Sequence, residues 1–133
     1  MRTVLLDTIG LIALWDKSDQ WHTAADNAYQ VLTSSAVRLV TTTLILCECG
    51  NAAARRPYRR DVADLWSGLD AVGDLIRPTD AQMNRAWVRY SAAPPGSAGV
   101  VDQISFIVMT ELGISEAFTN DAHFRVAGFV TLI

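Results

Sequence analysis

The stretch from Gly99 to Gly128, GVVDQISFIVMTELGISEAFTNDAHFRVAG, constrains the fold more than any other part of the chain. Val101, Ile104, Val108 and Leu112 recur at i, i+3, i+7 and i+11, which predicts a helix with one apolar stripe. Gly113 ends that helix, Ala117-Phe118-Thr119 is short and strand-like, and Asn120-Asp121 opens a further helical turn. A strand running straight into an aspartate puts a carboxylate at the carboxyl edge of a sheet, where α/β folds bind their ligands. Asp102, in the first turn of the preceding helix, brings a second acid towards the same place.

The rest of the chain repeats this grammar. Thr3 to Leu6 is a continuous apolar run of the kind found in buried parallel strands, and it ends at Asp7-Thr8, good capping chemistry for a helix over Ile9 to Trp15. A second helix is predicted from about Gln20 to Leu32, with Ala24, Ala28, Val31 and Leu32 turned inwards. Val37 to Thr41 predicts another strand, after which Thr42-Thr43 caps a helix carrying Leu44, Ile45, Glu48 and Ala52 and broken near Pro57. Further helices are predicted from Arg60 to about Val72 and after Thr79, with a short strand at Leu75-Ile76 between them. Ala92 to Gly99 is a Pro/Gly-rich loop, and Phe129 to Ile133 predicts a last strand at a sheet edge. Strands alternating with helices imply an α/β sandwich: a mainly parallel sheet of roughly four to five strands with helices on both faces.

With 133 residues, half of them hydrophobic, the chain is expected to be one domain, residues 1–133, with a substantial core. The net charge of −3 gives no overall nucleic-acid footprint, so phosphate binding has to come from local patches or from bound metal. No apolar run is long enough to span a membrane, and the first strand starts too early for a secretory leader. Cys47 and Cys49 lie two apart, which excludes a disulfide framework and favours two packed thiols in a reducing cytoplasm.

Singly, each acid has an ordinary explanation. Asp7 and Asp121 can cap helices, Glu48 can be solvated, and Asp102 can favour the helix dipole. Together they say more. Asp7 and Asp121 each follow a strand, Asp102 starts the helix that leads into the second of these strands, and Glu48 lies about one turn inside a helix that starts from the same edge. Four carboxylates around one point repel by about 3 kcal/mol per pair at ~5 Å and an effective dielectric of ~20. The six pairs together rival the ~5–15 kcal/mol stability of a whole domain. Either the acids stay apart or a cation holds them, and all-oxygen ligation points to Mg²⁺ or Mn²⁺ rather than zinc.

The strand-Asp-Thr start with WDKSDQWH behind it, the TTTLILCE segment, VVDQISFIVM and TNDAHFRVAGF together resemble a PIN domain, and more narrowly the single-domain VapC-type toxins of toxin–antitoxin pairs. The likeness covers nearly the whole chain in the right order, with about Arg59 to Ala93 matching no motif. It implies that Asp7, Glu48, Asp102 and Asp121 are the catalytic, metal-holding quartet, with Asp121 at the family's most variable position. Thr8 and Ser105 match its supporting polar residues. The implied activity is Mg²⁺-dependent cleavage of RNA phosphodiesters, Mn²⁺ substituting, by a cytoplasmic homodimer held in check by a small antitoxin.

Two local features complete the reading. Arg55, Arg56, Arg59 and Arg60 surround Pro57-Tyr58, either clamping RNA phosphates with Tyr58 as a stacking face or forming a solvated helix end. His123 is expected to hydrogen-bond locally, and Trp15, Trp21, Trp66 and Trp87 to serve core or dimer contacts. A phospho-receiver domain is excluded, because it needs a lysine late in the chain and the single lysine is Lys17. An RNA- or protein-binding module with an idle site, or a housekeeping endoribonuclease without an antitoxin, would share much of this pattern.

Overall fold

The computed structural model describes residues 1–133. Five strands form one parallel sheet in the order β3-β2-β1-β4-β5: β1 (Arg2–Leu6), β2 (Val37–Thr42), β3 (Leu75–Ile76), β4 (Glu116–Phe118) and β5 (Val130–Thr131). The chain moves outwards from β1 through β2 to β3, then returns to β4 on the other side of β1 and ends at the opposite edge with β5. The strand order therefore reverses between β1 and β4, and that switch point is where a crevice opens at the carboxyl ends of the strands.

Seven helices fill the connections: α1 (Thr8–Trp15), α2 (His22–Thr33), α3 (Thr43–Ala52), α4 (Arg59–Ala71), α5 (Asp80–Ala92), α6 (Val100–Leu112) and α7 (Ala122–Val126). Right-handed connections put α1 to α4 on one face and α5 to α7 on the other, which makes the α/β/α sandwich expected from the alternating pattern. The packing agrees, with α1 against α2 and α3, α3 against α4, and α6 against α5 and α7.

β1 is locked to both of its neighbours, β4 and β2, just below the crevice. The Asp7 amide donates to the Phe118 carbonyl at 3.3 Å, and the buried Thr41 hydroxyl donates to the Leu6 carbonyl at 2.7 Å. Gly10 lies in the first turn of α1, and a Cβ built there would stand 2.0 Å from the Phe118 carbonyl oxygen. No other residue type lets α1 sit this close to β4. Gly10 is thus a condition of the site's geometry.

The core also corrects the helix faces read from spacing. In α6, Ile104 to Met109 are all buried, while Leu112 is 59% exposed. A single stripe does not describe this helix because it is covered on two sides. Phe106 and Met109 join the main core, whereas Ile104, Ile107 and Val108 pack with Ala86 of α5. In α2 the buried pair is Ala25 and Leu32, and Val31 faces solvent. The last strand is confined to two residues at the edge, and Cys49 is buried while Cys47 is exposed.

Candidate active site

Four elements converge on the crevice. Asp7 is the last residue before α1, Glu48 lies in the second turn of α3, Asp102 in the first turn of α6, and Asp121 directly before α7. With Thr8 and Ile9 these four acids line one cleft of about 310 Å³. All four carboxylates singled out in the sequence therefore share one small space.

Their electrostatics show the strain. Asp7 is 2% exposed, and its side chain makes no helix-capping hydrogen bond. Burial pushes its carboxyl up to about 6, Asp121 adds to the rise, and the Thr119 hydroxyl and Thr8 amide pull back as polar neighbours. Asp102 is pushed up to about 7, first by burial, then by the charges of Asp7, Asp121 and Glu48. Beneath the cluster the Cys49 thiol is driven up to about 12 by burial and by the charges of Asp7 and Glu48. Groups that resist ionisation this strongly while facing one another are what a bound cation relieves.

Two residues steady the acids. The Thr8 hydroxyl donates to Glu48 Oε1 at 2.6 Å, fixing the carboxylate of α3 to the start of α1. His123 was expected only to bond locally, and it does more. Its backbone amide and ring Nδ1 meet Asp121 Oδ1 at 2.9 and 3.1 Å, and Nε2 meets the Gly96 carbonyl at 3.0 Å. A ring that faces an acceptor on both sides satisfies both only as imidazolium, and its pKa is accordingly raised, chiefly by the Gly96 carbonyl and then by Asp121. Ligand atoms of Asp102, Asp121 and His123 lie within 4.8 Å of one another. With both ring nitrogens occupied, His123 contributes charge and position, leaving the carboxylates as ligands. The donor set is thus oxygen, which fits Mg²⁺ or Mn²⁺. The imidazolium lowers the cost of ionising Asp102.

Ser105 stands apart. Its hydroxyl is fully buried and donates to the Val101 carbonyl at 3.1 Å within α6, outside the lining of the cleft. The arginine cluster is also spent locally. Arg56 pairs with Asp16 at 3.1 Å and lies over the Tyr58 ring, Arg59 bonds the Ala54 carbonyl, and Arg60 pairs with Asp64. Tyr58 is buried and stacked on Trp15, so it offers no face to a base. Across the molecule six arginines are ion-paired to carboxylates and Arg59 and Arg125 bond neutral oxygens, which leaves Arg55 and Arg89 without a partner.

No family model matches the chain. It is, however, 30% identical over 132 residues to the 23S rRNA-specific endonuclease VapC20 of Mycobacterium tuberculosis, in strains CDC 1551 and H37Rv, across 96% of this chain and 95% of that protein. The chain belongs to the VapC-type PIN-domain family. The fold of this VapC-type protein also matches the crystal structure of Mycobacterium tuberculosis VapC20, a sarcin-ricin loop cleaving toxin, with a TM-score of 0.78 at 24% identity over 96% of each chain. No helix of the VapC-type chain is long and apolar enough to cross a membrane.

Proposed function

We propose that this chain is a Mg²⁺- or Mn²⁺-dependent endoribonuclease, the toxin of a toxin–antitoxin pair acting in the cytoplasm as a homodimer. The observation that carries the reading is the convergence of Asp7, Glu48, Asp102 and Asp121 on one cleft at the switch point of the sheet. Family membership supports it, since the similar VapC20 proteins are endonucleases that act on 23S rRNA. An idle binding module has no need to bear the repulsion among these carboxylates.

A divalent ion held by Asp7, Glu48, Asp102 and Asp121 would supply activation of water and neutralisation of phosphate charge. The chain's own residues do the rest. Burial and neighbouring charge raise Asp7 to about 6 and Asp102 to about 7, so a bound cation would favour their fully ionised forms, and loading would release whatever protons they still hold. Thr8 holds the Glu48 carboxylate in place, and His123 holds Asp121 while anchoring the 93–98 loop beside it. The expected products carry a 5′-phosphate and a 3′-hydroxyl. RNA is the substrate, and a small antitoxin the partner that restrains the site.

The direct test is cleavage of end-labelled RNA by purified protein with Mg²⁺ or Mn²⁺, with EDTA, and with Asp102→Asn. Cleavage that requires the metal and falls by at least about a thousandfold in the variant is the expected outcome. Cutting that survives chelation or the substitution would sink the reading.

A further inference from the structure

A cavity of 860 Å³ lies next to the acidic cleft, between the end of α5, the 93–98 loop, α6 and α7. The two depressions have no lining residue in common, but neighbouring residues of the same segments line both. Gln103 follows Asp102 on α6, and Ala122 and His123 follow Asp121, so the segments that carry two of the acids also line the cavity. Its size lies within the range of small-ligand sites. Its floor is aromatic: Phe106 and Phe129 lie 5.6 Å apart with their rings 28° from parallel.

The polar groups on its walls are unspent. The Gln103 amide makes no side-chain hydrogen bond, and Arg89 has neither a carboxylate nor a carbonyl partner, in a protein that pairs most of its arginines. Next to a cleft that would hold the scissile phosphate, an amide able to donate and accept, an apolar floor and a free guanidinium match the three parts of a neighbouring nucleotide.

We propose that this cavity is a nucleotide subsite: it takes one base unstacked from a loop of the RNA, with Gln103 reading the edge of that base and Arg89 holding an adjacent phosphate. The proposal rests on the ribonuclease reading above. Apolar and aromatic surface with a single well-placed amide is how extruded bases are held and told apart. The His123 bond to the Gly96 carbonyl ties the cavity's loop to Asp121, so a base seated here is registered against the acids.

Hairpin RNA with a randomised loop and scattered 4-thiouridine is the probe. Wild type, Gln103→Leu, Arg89→Gln and Asp102→Asn are compared by photo-crosslinking in EDTA, by the salt dependence of binding, and by sequencing of cut ends in Mg²⁺. Crosslinks should fall on peptides containing Phe106 or Phe129. Gln103→Leu should flatten the base preference beside the cut and slow cleavage by about three- to tenfold. Arg89→Gln should weaken binding by about tenfold and reduce the slope of log affinity against log salt by about 0.7, leaving the base preference intact.

If both variants keep wild-type preference, affinity and salt slope while Asp102→Asn abolishes cutting, the nuclease stands and the subsite is overturned. If wild type cuts no RNA but the crosslinks and the salt slope still respond to Gln103 and Arg89, the subsite stands and the nuclease reading falls. If the two substitutions weaken only the capture of a protein partner, the cavity is a protein dock and the proposal fails.

Discussion

Among the four acids, Asp7 and Asp102 carry the strain and Glu48 and Asp121 the support. Burial raises the first two, while Thr8 and His123 each hold one of the others. The consequence for stability has a definite sign. A carboxyl raised in the folded state keeps its proton longer there than in the unfolded chain, so its stabilisation is complete below about pH 4. That stabilisation is lost as pH climbs through about 6 for Asp7 and about 7 for Asp102. His123, also raised, loses its contribution in the same direction, while Asp16, Asp70, Glu111 and Glu116 are lowered by their arginine and hydroxyl partners and act only in more acid solution. The melting temperature of metal-free protein should therefore fall between about pH 5 and about pH 8, and millimolar Mg²⁺ should flatten the fall. A metal-free profile that rises over this window would show that the acids do not repel one another as described.

Thr8 and Ser105 were matched to supporting roles on the same grounds, and only one of them reaches the cleft. Thr8→Val keeps the shape and removes the 2.6 Å bond to Glu48. It should cost cleavage about tenfold with little change in melting temperature. Ser105→Ala should leave cleavage within about twofold, since its hydroxyl serves its own helix. The acids themselves were legible because Asp7, Asp102 and Asp121 stand at strand ends or helix entrances and Glu48 one turn further in, which local pattern reveals. The reach of His123 was not, since Gly96 lies far from it along the chain and comes to it only through the fold.

At the level of elements, the sheet was readable and the faces of the helices were less so. Short apolar runs bounded by polar or turn residues mark strands, and β1, β2, β3 and β4 lie on such runs, with β4 shifted one residue earlier than Ala117 to Thr119. Spacing along α6 suggested one stripe because periodicity describes a helix with one covered face, and α6 is covered by both the sheet and α5. Gly10 was opaque for a related reason: its requirement comes from the Phe118 carbonyl of β4. Gly10→Ala must push α1 away from β4, and we expect a loss on the order of 3 kcal/mol, or roughly 10 °C in melting temperature. The capping box of α5 gives a milder benchmark. Thr79 accepts from the Gln82 amide at 3.1 Å while the Gln82 side chain accepts from the Thr79 amide at 2.9 Å. Thr79→Ala should cost about 1 kcal/mol and leave cleavage unchanged. A loss as large for Thr79→Ala as for Gly10→Ala would remove the distinction drawn between a local cap and a point of forced contact.

Taken whole, the molecule meets RNA with few free charges. The net charge is −3, and most of its cations are committed to carboxylates of the same chain. Pairing blunts their attraction for phosphate, because displacing the intramolecular partner offsets what a new contact contributes. Arg59 and Arg125 bond neutral oxygens, Lys17, Arg55 and Arg89 have neither a carboxylate nor a neutral partner, and of these three only Arg89 lies on a cavity beside the acids. If each neutralises one phosphate of single-stranded RNA, log affinity should fall against log salt with a slope of about −2. A basic RNA-binding domain making many backbone contacts would show a much steeper line. Binding of a hairpin RNA measured from low to moderate salt, at fixed divalent-ion concentration, decides between them. A slope steeper than about −4 would mean that the paired arginines open to receive the RNA, and the Asp16–Arg56 and Asp64–Arg60 pairs would then be the first to break by substitution. A slope near −2 would place recognition in the cleft and its neighbouring cavity, with shape and base contacts, rather than surface charge, selecting the target.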